Sequence, residues 1–470
     1  MSDYRTEKDS MGAMQVPATA LYGAQTARAI DNFPVSGQPL PAPFLQTLGL
    51  IKQHAARVNK ELGLLEGEIA LAIMDAAEEV VSGELLDHFP VDVYQTGSGT
   101  SSNMNANEVI ANRAAQLLAR ELGDKSVHPN DHVNLGQSSN DVIPTALHVA
   151  ATSELEHHLL PPLNQLQQQL AAKADAFDDI IKIGRTHLMD ATPIRLGQVF
   201  SGYARQVELA SRRIKAAQQG LLELPLGGTA VGTGINTHPE FAARVIAGIS
   251  QVTGLAFCEA TNHFEAQGSK DAVVATSAAL KSAAVSLFKV ANDIRFLASG
   301  PRCGIGELQL PAVQPGSSIM PGKVNPVMAE SLIQVCAQVI GTDAAITVGG
   351  LAGNFELNVM MPMIAHNLLQ AIELLGNAVR LFSERCVAGL AANRERCAEL
   401  VEQSLAMVTI LAPVVGYDRA AELAKQAANS GKTIREVVRE AKLMSEAELE
   451  RVLDPWPMTK PGLGNGQAGG

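Results

Sequence analysis

At 470 residues the chain is long enough for several domains, or for one large core with appendages. Its 46% hydrophobic and 18% charged residues are the balance of a globular protein and exclude a disordered one. A net charge of −12 argues against nucleic acid as the main partner, and any anion site must be built locally against that field.

The N-terminal run Met1 to Asp9 has no apolar stretch and is too acidic for a transit peptide. Residues 1–40 read as an irregular arm, turn-rich at Asp9-Ser10-Met11-Gly12 and at Tyr22-Gly23-Ala24-Gln25-Thr26. Helical spacing runs from about residue 41 to 82, and Pro90 closes that segment. In Gln95-Thr96-Gly97-Ser98-Gly99-Thr100 and the residues after it, a helix start is expected with Asn105 as cap and Glu108 three residues on. That leaves Ser98, Gly99 and Thr100 as hydroxyl and N–H donors suited to carboxylate oxygens.

His128-Pro129-Asn130-Asp131-His132 offers a metal reading through His128, Asp131 and His132. It lacks a third well-placed ligand, and Pro129 is expected to disturb the helix that i,i+4 ligation needs. Gln137-Ser138-Ser139-Asn140-Asp141 reads as a turn capping the helix that follows, and a helix N-terminus is itself an anion site.

From 137 to 390 long proline-poor segments dominate. Leu155, Leu159, Leu163, Leu166 and Leu170 mark one helix face. Further long helices are expected at 196–223, 264–299, 327–348 and 363–390, which makes a helical bundle and a mainly all-α chain. Sustained heptads are absent, so a coiled coil is excluded. The joints between helices are rich in Gly, Ser, Thr and Asn, where sites usually sit. Gly184–Pro193 carries Thr186 and His187, and a histidine taken alone is more often structural. His157 and His158 lie mid-helix beside glutamates and read as a solvated face. Leu226–Gly234 looks like a phosphate loop but lacks the Gly-Lys-Ser/Thr ending and a preceding strand.

Gly316-Ser317-Ser318-Ile319-Met320-Pro321-Gly322-Lys323-Val324-Asn325-Pro326 concentrates hydroxyls, an ammonium and turn residues in one stretch. It reads as a tight loop entering a helix near Pro326, able to aim N–H groups, hydroxyls and Lys323 at an anion. After 392 shorter helices are expected, among them Asp418–Ala428 and Thr433–Lys442, and Gly462–Gly470 reads as a disordered tail. The apolar run Leu405–Tyr417 is too short to span a membrane, and no longer uncharged apolar run follows or precedes it. The cysteines at 258, 303, 336, 386 and 397 are odd in number and unpaired in spacing. That favours reduced thiols in a cytoplasmic chain over disulfides or zinc. The segmentation suggests domains at 1–136, 137–391 and 392–470.

The Gly316–Pro326 stretch resembles the signature loop of the fumarase/aspartase superfamily, and its Gly322-Lys323-Val324-Asn325-Pro326 form resembles class II fumarases. Aspartases usually carry alanine at the place of Gly322, Gly-Ala-Gly-Val at the place of Gly97–Thr100, and glutamine at the place of His187. The resemblance runs from about Tyr4 to Lys442. It implies a three-domain subunit with a central five-helix bundle that assembles into a homotetramer, whose active sites are shared between chains. It implies reversible hydration of fumarate to L-malate, a small dicarboxylate pair, with no metal or organic cofactor and no membrane partner.

By the same resemblance Ser317 takes the C3 proton, Lys323 stabilises charge, and His187 with Glu330 handles water. The family's substrate contacts fall on Ser98, Gly99, Thr100, Ser138, Ser139, Asn140, Thr186, Ser318, Lys323, Val324 and Asn325. A second, non-catalytic anion site falls on His128, Pro129, Asn130 and Asp131, with His132 where many fumarases have aspartate. An aspartate ammonia-lyase, disfavoured by Thr100, His187 and Gly322, and a catalytically silent relative are the alternatives.

Overall fold

The computed structural model describes residues 3–462, so most of the tail read as disordered lies outside the described residues. Tyr4–Asp9 (β1) and Gly12–Pro17 (β2) pair antiparallel with Asp9 opposite Gly12. The arm expected to be irregular therefore opens as a hairpin, and the turn-rich run is its turn. Asp9 holds that turn, accepting from the Met11 N–H and from the Arg28 guanidinium.

The chain continues through Ala24–Asn32 (α1), Ala42–Glu61 (α2), Gly67–Val81 (α3) and Thr100–Leu117 (α4). Helix α1 has no side-chain cap of its own. Buried Glu108 of α4 supplies one, accepting from the N–H groups of Gly23, Gln25 and Thr26 and from the Thr26 hydroxyl. This corrects the expected cap. Helix α4 already starts at Thr100, so Asn105 lies inside it and Glu108 serves a distant helix instead. Burial pushes the Glu108 carboxyl up, against the pull of its four donors.

The bundle follows as Ser139–Glu154 (α5), a π-helical turn at Leu155–Leu159, and Leu160–Ala176 (α6). Pro161 and Pro162 lack N–H donors, and the widened turn lets the helix pass them. Leu155, Leu159, Leu163, Leu166 and Leu170 are all fully buried, as their spacing predicts. Next come the hairpin Ile181–Thr186 (β3) and Met189–Arg195 (β4), then Leu196–Gln218 (α7) and Phe241–Thr253 (α8). The helix expected at 264–299 is two: His263–Gly268 (α9) and Asp271–Leu297 (α10). The buried Lys270 ammonium divides them, donating to the carbonyls of Ala266, Gln267 and Ser269 at the end of α9. Val327–Gly350 (α11) and Met361–Phe382 (α12) complete the bundle.

Polar contacts tie neighbouring bundle helices together. Gln218 donates to the Thr152 carbonyl, the Tyr203 hydroxyl bonds Asp293 at 3.0 Å, and Ser277 and Lys281 both reach Asp343. By length and composition α10 and α11 are apolar enough to cross a membrane. Yet α10 carries Lys281, Lys289 and Asp293 along its length, and half of its most apolar window is buried within this one chain.

The C-terminal helices are Arg394–Gln403 (α13), Ala412–Val415 (α14), Tyr417–Ser430 (α15), Ile434–Glu440 (α16) and Glu446–Val452 (α17). Helix α16 starts on a capping box, Thr433 with Glu436, which marks its beginning in the sequence as well. Backbone proximity divides the chain into two units. Met1–Pro161, Ala210–Val285 and Val335–Asn377 form the first, and Pro162–Leu209, Ser286–Gln334 and Ala378–Gly470 the second. In the second, Ile183 of β3 is buried among Val401, Leu411, Leu423, Ile434 and Val437, so the hairpin is rooted in the core of the C-terminal helices.

His148, in the first unit, gives a pH-dependent contribution to stability. Burial first, and the Lys270 charge second, pull its pKa from 6.5 down to about 4. Between those values the unfolded chain binds a proton that the folded chain refuses. Its contribution is therefore complete above pH 6.5 and is lost as pH falls through 4. In urea titrations across that window, His148→Gln is expected to show a stability slope with pH shallower than wild type by up to one proton. Identical slopes would contradict the assignment.

Candidate active site

In the first unit, the start of α4 and the start of α5 come together. Gly97 sits so close to Val359 that a Cβ there would lie 1.7 Å from the Val359 carbonyl oxygen, so only glycine fits. Ser98 Oγ lies 2.8 Å from Thr100 Oγ1, which lies 2.7 Å from Ser139 Oγ. Three hydroxyls thus form one chain across two helix N-termini. Helix N-termini are the positive ends of their helices, which suits a carboxylate. The Gly99 N–H is not free, because it donates to the Thr96 carbonyl.

Ser138 and Asp141 form a capping box at the start of α5. Asn140 donates from Nδ2 to the Ala230 carbonyl, and Asp141 accepts from the N–H groups of Gly227 and Thr229. The phosphate-loop lookalike therefore spends its amides on Asp141. Contrary to expectation, a short parallel strand, Glu223–Leu224, does precede it. Burial pushes the Asp141 carboxyl up, opposed by those amides and by the Lys52 charge.

A polar layer that the sequence did not reveal underlies this segment. Lys52 of α2, fully buried, donates to Asn134 Oδ1 and Gln137 Oε1. Burial pulls its pKa from 10.5 to about 7. The sequence signal was slight: a lysine on the apolar face of a helix.

Near this layer, Pro129 opens a π-helical turn, Pro129–Val133, and His128 stands before it in extended backbone, so no helix carries His128 and His132 together, as expected of Pro129. His128 Nδ1 accepts from the N–H groups of Asn130 and Asp131, and His132 Nδ1 accepts from the His128 N–H. Both Nδ1 atoms are thus engaged by backbone. Among the described residues no three His, Cys, Asp or Glu side chains are grouped to hold a metal. His128, Pro129 and Asn130 line a cavity of about 250 Å³ together with Lys8 and Lys125.

In the second unit, the segment read as a joint between helices is the β3–β4 hairpin, with Thr186 paired to Met189 across a two-residue turn. His187 and Leu188 are that turn, at φ +57° and +62°. Such turns ordinarily take Asn or Gly, so a histidine and a leucine held there are strained, a mark of functional positions. The tip is exposed, Leu188 at 82%. The base is fixed by fully buried Glu307, which pairs with Arg185 at 3.0 Å and Lys182 at 3.2 Å.

The Gly316–Pro326 loop is held shut at its neck. The Gly316 N–H donates to the Lys323 carbonyl at 2.8 Å, and Asn325 Nδ2 donates to the Gly316 carbonyl at 2.7 Å. Gly322 turns at φ +82°, where alanine would be strained. Inside the loop Ser317 Oγ accepts two backbone N–H groups, from Ile319 at 3.2 Å and Met320 at 3.0 Å. Ser318 and Val324 are exposed on it. Lys323, Val324 and Asn325 line a cavity of about 550 Å³ with Arg295, Phe296 and Pro301. Glu330 lies in the first turn of α11.

The chain therefore joins Ser98, Thr100, Ser139 and their neighbours, and separately joins Ser317 to its loop amides. Among the described residues, no hydrogen bond joins His187 to Glu330 or the Lys323 ammonium to Ser317.

Comparison with known proteins covers the chain almost end to end. Residues 12–341 match the family model described as lyase, and residues 407–460 match that of the fumarase C C-terminus. A class II fumarate hydratase from Halobacterium salinarum is 57% identical over 464 residues, covering 99% of each chain. Mitochondrial fumarate hydratase 1 of Arabidopsis thaliana is 50% identical, covering 98% of this chain and 94% of its own. The crystal structure of class II fumarase from Schistosoma mansoni superposes with a TM-score of 0.93 at 40% identity, covering 97% of this chain and 99% of that one. On the family model over residues 12–341 and relatives of 50–57% identity over nearly the full length, the chain belongs to the class II fumarate hydratase family.

Proposed function

We propose that the chain interconverts fumarate and L-malate by removing the C3 proton with Ser317 and transferring water at C2 with His187. In the dehydration direction, the C3–H bond breaks and its electron pair enters the adjacent carboxylate as an aci-carboxylate. The aci-carboxylate pair then returns to form the C2=C3 double bond as the C2–O bond breaks, and the hydroxide leaves as water with a proton from His187. Charge developing on the aci-carboxylate is stabilised by Lys323, Asn325 and the hydroxyls of Ser98, Thr100 and Ser139, with Ser138, Asn140, Thr186, Ser318 and Val324 completing the contacts. Glu330 biases His187 toward its basic role.

The observation that carries this reading is the pair of loop N–H groups on Ser317 Oγ. A serine hydroxyl is far too weak an acid to serve unaided, and two amides aimed at its oxygen favour the alkoxide. The second anion site at His128–Asp131 and a division at 1–136, 137–391 and 392–470 belong to the same reading.

A homotetramer is supported by apolar side chains left uncovered on the bundle. Val285 (56%), Phe288 (36%) and Phe296 (45%) lie on one face of α10, and Ile340 and Val348 are exposed on α11. Cytoplasmic residence is supported by five free cysteines. The direct test adds L-malate and follows the ultraviolet absorbance of the conjugated double bond. Absorbance rising in proportion to enzyme is expected, and its absence would leave an ammonia-lyase or a silent relative.

A further inference from the structure

Beneath the hydroxyl chain lies a side chain that the reaction does not touch. Lys52 Nζ donates to Asn134 Oδ1 and Gln137 Oε1, each at 2.9 Å. Asn134 Oδ1 also accepts from Nδ2 of Asn103 at 3.1 Å and of Asn107 at 3.2 Å. Gln137 donates to the Val133 carbonyl at 3.1 Å and the Leu135 carbonyl at 3.3 Å, and its own carbonyl accepts from Asn134 Nδ2. Gln137 immediately precedes Ser138, and Asn103 and Asn107 lie on the helix that begins with Thr100. One buried ammonium is thus the common point of two segments whose hydroxyls meet at the Thr100–Ser139 contact.

Burying an amine is costly with or without its extra proton, and an apolar side chain of the same length would serve packing alone at less cost. What the Lys52 Nζ adds is direction: its N–H donors hold two amide oxygens at fixed distances. We propose that Lys52 is a positioning residue for dicarboxylate binding, setting the spacing of 98–100 against 138–140 so that their hydroxyls converge on one carboxylate. The inference rests on the assignment of those hydroxyls to substrate binding. Lys52 acts through Asn134 and Gln137 and does not meet substrate.

The test compares Lys52→Met, Ser139→Ala and the double variant by steady-state kinetics with fumarate. Lys52→Met is expected to raise KM about tenfold with kcat within about threefold of wild type, the signature of lost uniform binding. The double variant should fall short of the product of the two effects, because both act on one contact. A merely structural role predicts a lower melting temperature and a smaller active fraction, hence lower kcat at unchanged KM, and that result would overturn the inference. If Lys52→Met does not accumulate as folded protein, Asn103→Ala, which cuts only one α4 link, carries the same test: raised KM supports the inference and unchanged KM overturns it. Ser139→Ala with raised KM beside an unaffected Lys52→Met overturns the inference alone. Ser139→Ala with unchanged KM overturns the binding assignment, and the inference with it.

Discussion

Ser317→Ala is expected to lower kcat by at least about 10³-fold while leaving helix content and melting temperature close to wild type. The substitution removes one oxygen, from a loop that is not in the apolar core. The neck of that loop does not depend on the serine, because Gly316, Lys323 and Asn325 close it without Ser317. What is lost is the acceptor that the Ile319 and Met320 amides share. The effect belongs at the upper end for a general base, since the same two amides then point at nothing and the loop loses its organising contact. Circular dichroism establishes the fold, and malate dehydration gives the rate. Activity within about threefold of wild type would move the base elsewhere, with His187 the next candidate.

Mixing two dead variants is expected to restore activity. His187→Asn and Ser317→Ala, each inactive, are unfolded together and refolded into hybrids. If the two residues of one site come from different chains, about a quarter of the sites in random hybrids hold both wild-type side chains. The motive is in the chain itself. His187 stands exposed at a hairpin tip, and no hydrogen bond links it to Glu330. The 27 residues of α10 span about 40 Å, and its uncovered apolar face calls for a partner. Antiparallel packing of such faces in a symmetric assembly carries the end of one chain onto the opposite end of its neighbour. Mixed tetramers verified by mass and still inactive would place both residues in one chain.

Much of this was legible in the sequence, and the rest was hidden for identifiable reasons. The leucines from 155 to 170 announced a buried helix face because a helix repeats its facing residues locally. The Gly316–Pro326 loop was readable because its glycines, hydroxyls and lysine lie within one short stretch. Glu108 was misread. Its position relative to Asn105 fits a local capping box, but the donors it serves belong to residues 23–26, and long-range partners leave no spacing signal. The hairpin that carries His187 was read as a loop, since a His-Leu turn breaks the usual Asn-Gly pattern. Lys52 was invisible because a lysine in a helix ordinarily reads as solvent-facing, and only the fold brings Asn134 and Gln137 to it.

The site is expected to add water, and not ammonia, across the double bond. Gly322, at a φ of +82° that alanine would find strained, and His187, where ammonia-lyases of the superfamily carry glutamine, are the residues that set it apart. The direct measurement incubates the enzyme with fumarate in ammonium buffer and analyses the products by chromatography. L-malate as the dominant product is the predicted result, and aspartate as the dominant product would contradict the account.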